Sequence, residues 1–74
     1  MRLQEGYAAG FDGGQGHLTI PGSEYDTDVI FGSYAEAETW RLGWAIRDQL
    51  VVRRVRRYFH PGVTGNGEAY EIIE

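Results

Sequence analysis

Four arginines stand within five residues, Arg53, Arg54, Arg56 and Arg57, and two aromatic residues follow at once, Tyr58 and Phe59. Clustered guanidiniums can clamp phosphates or a partner's carboxylates, because each presents a planar fork of donors. Aromatic neighbours can stack on bases. The run, with Arg47 in the same basic segment, is the expected partner-binding surface. The bland reading beside it is a solvated helix end, its cations suited to the helix dipole and paired with the glutamates of the tail.

Other chemistry-bearing residues are sparser. Glu24, Asp26 and Asp28 alternate with Tyr25 and Thr27 and form an acidic stretch. The spacing faintly echoes a calcium loop but lacks its glycine and its terminal glutamate, so no metal is expected there. An acidic surface meeting a basic partner is the functional reading, and a solvated loop the structural one. His17 and His60 have no nucleophile or orienting carboxylate beside them in the sequence, so no catalytic residue is assigned. Gly13-Gly14-Gln15-Gly16 lacks the lysine and hydroxyl of a phosphate loop and reads as the left-handed C-cap that ends a first helix. No cofactor is expected.

Charge is distributed unevenly. The 74 residues carry net charge −4, and all seven basic residues are arginine. Residues 1–38 hold Arg2 against seven carboxylates, residues 39–60 hold six arginines against Asp48, and the tail holds Glu68, Glu71 and Glu74. Such a balance gives no blanket attraction to nucleic acid or to an anionic membrane. The chain has no cysteine, so disulfides and thiolate metal sites are excluded. No apolar run is long enough to span a bilayer, and no signal peptide is visible, which makes a cytoplasmic setting the expectation. An aromatic content of 14% argues for a folded core. One small domain is expected, with a helical core over 1–60 and a tail over 61–74.

The elements expected to position these residues are mainly helical. Leu3, Tyr7 and Phe11 recur every fourth residue and predict a short helix over about 2–12, with Gly6 and Gly10 marking close approach of a second element. Residues 17–33 read as a loop in which His17 to Ile20 and Val29 to Phe31 are short strands or apolar anchors, with a turn at Pro21-Gly22. Ser33 and Glu36 form a capping box that starts a second helix. Trp40 and Trp44 then sit one turn apart on one face with Val51 and Val55, while Leu42, Ile46 and Leu50 fall on the opposite side. Gly43 reads as a notch for a neighbouring backbone. A helix to about Tyr58, apolar on two sides, calls for cover on both, which predicts a homodimer. The β-branched run 51–59 also suits a strand, and a hairpin of 51–59 with 68–73 would set arginines opposite glutamates. The reading adopted is a helix into this region, a two-helix core, a long intervening loop and an extended or strand-like C-terminal tail.

Two motifs carry a family resemblance. Gly6-Tyr7-Ala8-Ala9-Gly10-Phe11-Asp12-Gly13 is similar to a G-Y-x-A-G-x-x-G segment, and Trp40-Arg41-Leu42-Gly43-Trp44 to a W-x-x-G-W segment, both of the ribosome modulation factor family and its CrpP-like relatives. The likeness covers about residues 1–52. It implies two helices packed through Gly6, Tyr7, Gly10, Gly13, Trp40, Gly43 and Trp44. It also implies a small bacterial protein that associates with the ribosome or RNA. The acidic balance departs from that family's basic ribosome binder, the Cys-Pro-Tyr step of the family's loop is absent, and the loop between the motifs is longer. The alternative expectation is therefore an acidic inhibitor or adaptor, of the kind mobile elements such as phages carry, binding a basic nucleic-acid-handling protein. A CrpP-like enzyme acting on a small molecule is the remaining reading. A non-enzymatic binding protein is the reading adopted.

Overall fold

The computed structural model describes residues 3–20, 29–59 and 68–74. Its backbone is built mainly of strands. Strand β1 spans Glu5–Asp12, β2 His17–Thr19, β3 Val51–Phe59 and β4 Glu68–Ile72. Among the described residues the one α-helix, α1, spans Tyr34–Leu42, and a one-turn 3-10 segment follows at Arg47–Gln49. All pairings are antiparallel, and the strands close on themselves in the order β1-β2-β4-β3.

This overturns the two-helix core. Gly6, Tyr7 and Gly10 lie on a strand that pairs with β3, Tyr7 opposite Arg54 and Gly10 opposite Val51. Gly13 belongs to the turn into β2, not to a helix cap. Gly14 and Gly16 take φ of 78° and 85°, and the Gly14 N–H donates to Asp12 Oδ1 at 2.8 Å. Positive φ is the glycine-favouring region, so this glycine-rich turn is a strand reversal. The expected strand at His17 to Ile20 is present as β2. Val29 to Phe31 is an anchor instead: Val29 and Ile30 are buried, and Phe31 makes one bridge to Tyr7 through bonds of 2.8 and 2.7 Å.

The long second helix is also corrected. Ser33 does cap α1, accepting from the Glu36 N–H at 3.2 Å. The helix stops nine residues later because Gly43 is its C-cap, its N–H returning to the Trp40 carbonyl at 3.1 Å. A methyl at Gly43 would meet nothing closer than that carbonyl, at 3.4 Å, so the residue terminates a helix and admits no neighbouring backbone. Residues 51–59 then run as β3 and pair with β4 in the hairpin that was the rejected alternative. The tail is the strand that closes the barrel.

Strand alternation sorts the core. Gly6, Ala8, Gly10 and Val55 point into the barrel with Leu18 and Tyr70, while Tyr7, Ala9 and Val52 face outward under α1. Ala8, Leu18, Val55 and Tyr70 have no exposed surface. Ala9 and Ala37 are both fully buried, and their small size lets the helix seat closely on β1 and β3. The buried side of α1 among these residues is Ala37 alone. The homodimer argument rested on a long helix apolar on two sides, and that helix does not form.

The close approaches make a stability prediction. A methyl at Gly6 would lie 2.4 Å from the Phe31 carbonyl oxygen, and one at Gly10 2.4 Å from the Thr19 carbonyl oxygen. Retreat of the Phe31 carbonyl would break its bridge to Tyr7, and retreat of the Thr19 carbonyl would disturb the β1–β2 pairing that closes the barrel. Gly6→Ala and Gly10→Ala should each cost about 1–3 kcal/mol in urea unfolding. Gly13→Ala, where the methyl meets nothing within 4 Å, should stay within about 0.5 kcal/mol of the parent. Equal midpoints for all three variants would contradict the closed barrel.

Candidate functional site: paired arginines and an aromatic groove

On a strand the arginine run cannot form one cluster. Arg54 and Arg56 share the outer face of β3, and Arg53 and Arg57 share the face that carries Val55. Each is met by groups of the same chain. Arg56 donates from Nε and Nη2 to Glu71 Oε1 at 3.1 and 2.7 Å, across the β3–β4 pairing. Arg54 lies 3.3 Å from Glu74 Oε1 and 4.0 Å from Glu5 Oε1. Arg53 lies 3.9 Å from Asp12 and also donates to the Val52 carbonyl at 3.0 Å. Arg57 donates to the Leu3 carbonyl at 2.6 Å and to the buried Tyr70 hydroxyl at 3.2 Å, with its guanidinium 5.5 Å from the centre of the Tyr70 ring.

The outer face thus carries a charged row across the whole sheet. Glu5 stands opposite Arg56, Arg56 opposite Glu71, and Glu71 opposite His17. His17 stacks on Tyr58 with ring centres 4.8 Å apart. Opposite charges directly across strands stabilise a sheet locally. Hydrogen bonding to Glu71 holds the Arg56 guanidinium above its usual pKa, with the Glu71 charge second. Arg47, in the 3-10 segment, donates to the Trp44 carbonyl at 3.2 Å and stands apart from the run. Glu24, Asp26, Asp28 and His60 lie outside the described residues. Among the described residues, no three His, Cys, Asp or Glu side chains gather as a metal set would require.

The second feature was only partly legible. Phe31, Ala35, Glu36, Thr39 and Trp40 line an open groove of about 470 Å³ beside α1. Trp40 and Trp44 do meet, edge to face at 5.3 Å, although the helix ends between them. Trp40 also leans on Phe31 at 6.0 Å, and packs against both halves of the core. The indole therefore acts as core on one side and as groove wall on the other. Tyr34 extends the aromatic surface, in edge contact with Tyr7 at 6.2 Å, and is 55% exposed. Phe31, Ala35, Glu36 and Thr39 carried no site expectation. The available signal was aromatic density, since Phe31, Tyr34, Trp40 and Trp44 fall within fourteen residues.

Charge along α1 is set by one strong pair. Arg41 grips Glu38 with two bonds, Nε to Oε1 at 2.9 Å and Nη2 to Oε2 at 2.6 Å, and donates a third to the Arg47 carbonyl at 2.7 Å. Glu36 takes the Ser33 hydroxyl at 3.1 Å and is otherwise on the exposed first turn. The Arg41 hydrogen bonds pull the Glu38 carboxyl below its ordinary range, burial opposing them in part. A lowered folded-state pKa means the pair's stabilisation is complete above the ordinary glutamate range and is lost as pH falls through the lowered value. Carboxyl NMR titration should place Glu38 below a normal glutamate, and Arg41→Gln should return it upward. An unchanged Glu38 midpoint in that variant would show that the pair does not form.

Comparison with protein-family models, with curated proteins and with solved structures finds no match.

Proposed function

We propose that this chain is a non-enzymatic binding protein whose partner is a basic protein surface, the acidic inhibitor or adaptor reading. The observation that carries it is the internal engagement of the arginine run: Arg53, Arg54, Arg56 and Arg57 are each held by acceptors of their own chain. Pairing with carboxylates of the same chain offsets the charge of these arginines and occupies part of their donor set, which lowers what a phosphate gains by binding there. The net charge of −4 is then what an approaching molecule meets, and it attracts a cationic surface and repels a polyanion. A protein that handles nucleic acid offers such a surface, and an acidic chain binding there would compete with the nucleic acid.

The ribosome- or RNA-associated reading implied by the two short motifs is the rival, and one experiment separates them. The chain is titrated calorimetrically with an arginine-rich peptide and, separately, with a structured RNA, at low and at raised salt. The peptide should bind at low salt and weaken as salt screens the charges, while the RNA gives no heat of binding. Binding of the RNA with a steep salt dependence, or of neither probe, would overturn the proposal.

A further inference from the structure

We infer that the groove between Phe31 and α1 takes a cationic side chain, an arginine or lysine, from a basic partner segment. The inference rests on the basic-partner reading above and gives it a site. Three features of the groove point to this occupant. Phe31 and Trp40 line it with two aromatic rings, and Ala35 and Thr39 line it from the helix. Long basic side chains lay their aliphatic stems along such apolar surface while keeping the charged head in water. A cation within about 6 Å of an indole face is also drawn by the ring's quadrupole.

The third feature is the carboxylate. Glu36 lines the same groove. The Ser33 hydroxyl uses one of its acceptor positions, and a carboxylate has about four. The groove thus pairs two aromatic rings with an anion, the combination that suits a guanidinium or ammonium and disfavours a phosphate. Among the described residues, the other charges on α1 do not cancel this. Arg41, on the same helix, is bound bidentately by Glu38. The half-charge at the helix N-terminus is met by the Ser33 cap, and Glu36 carries a full opposite charge.

The test uses the whole chain, labelled for NMR, and a peptide alternating arginine with leucine. A twin peptide carries citrulline in place of arginine, which keeps the shape and removes the charge. The arginine peptide should shift the Ala35 and Thr39 amides and the Trp40 indole N–H, and the citrulline twin should not. Glu36→Gln keeps the length of the side chain and a carbonyl for Ser33, and should weaken binding by about threefold to fivefold. Ala35→Arg places a guanidinium beside the groove from an exposed helix position and should compete with the peptide. Its retained fold is checked by the shifts of Val55 and Leu18 in the barrel. Peptide binding that shifts only other residues, with Glu36→Gln unchanged, overturns the groove while leaving the basic-partner reading intact. No binding by either peptide removes both. A single-stranded RNA that shifts Trp40, and binds more tightly to Glu36→Gln, makes the groove a base-stacking site and overturns the cation assignment.

Discussion

The narrowness of a four-strand barrel governs this structure. Few strands enclose little space, so the inward side chains must be chosen for volume before anything else. From Gly6 to Gly10, β1 contributes Gly6, Ala8 and Gly10 to the inward row, nothing larger than a methyl. That economy makes room for Tyr70, Leu18 and Val55, which are fully buried. The cost is intolerance: the β1 backbone runs so near the Phe31 and Thr19 carbonyls that an added methyl has no place to go. The barrel has a small-residue wall and three larger walls, and the register of every strand follows from keeping them matched.

The same row explains why the sequence reads as helical. Leu3, Tyr7 and Phe11 are four apart, and a spacing of four is common to both regular structures: residues i and i+4 share a helix face, and they also share a strand face because four is a multiple of two. Normally the intervening residues break the tie. Here they are Gly6, Ala8 and Gly10, which are core residues without looking like core. Val51 and Val55 repeat the ambiguity in β3. What was legible was local. The Ser33 cap and the close approach at Gly6 and Gly10 are present in the structure, and the glycines at 13–16 do end an element, although that element is a strand and not a helix. The helix end at Gly43 was legible too, since a glycine following Arg41 in the last turn is a stop signal. It was read as a packing notch because the β-branched run beyond it was assigned to the helix.

Changing the element changes the electrostatics. On a helix, these four arginines fall within an arc of about 160°, and several can reach one ligand. On β3 they alternate, two to each face, and each face has its own acceptors: Glu71, Glu74 and Glu5 outside, Asp12, the Leu3 carbonyl and the Tyr70 hydroxyl on the other. The tail glutamates are therefore structural partners, and the charge asymmetry along the sequence folds back on itself. Exposed pairs of this kind are individually weak. Their effect here is on register and on what remains available for a ligand. A one-residue slip would put Arg56 opposite Tyr70 or Ile72 in place of Glu71 and turn the inward row outward, so pairing and packing favour the same register.

Because the sheet faces are committed in this way, the outer side of β1 and β3 under α1 becomes the part of the molecule with contacts to spare. Ala9 and Ala37 bring the helix down onto the strands, and Val52 fills the space beside them. A helix seated that low cannot hide an indole beneath it. Trp40 must lie along the flank, touching both core clusters with one side and leaving the other against Phe31 and open space. Phe31 is fixed there independently, by its two backbone bonds to Tyr7. The groove is thus a consequence of small residues at the helix–sheet contact and a large one at its edge. Its chemistry is set by Glu36, which the cap at Ser33 holds on the first turn. The same capping interaction that starts the helix places an anion beside two aromatic rings, and the rigidity of the barrel beneath holds that combination in position.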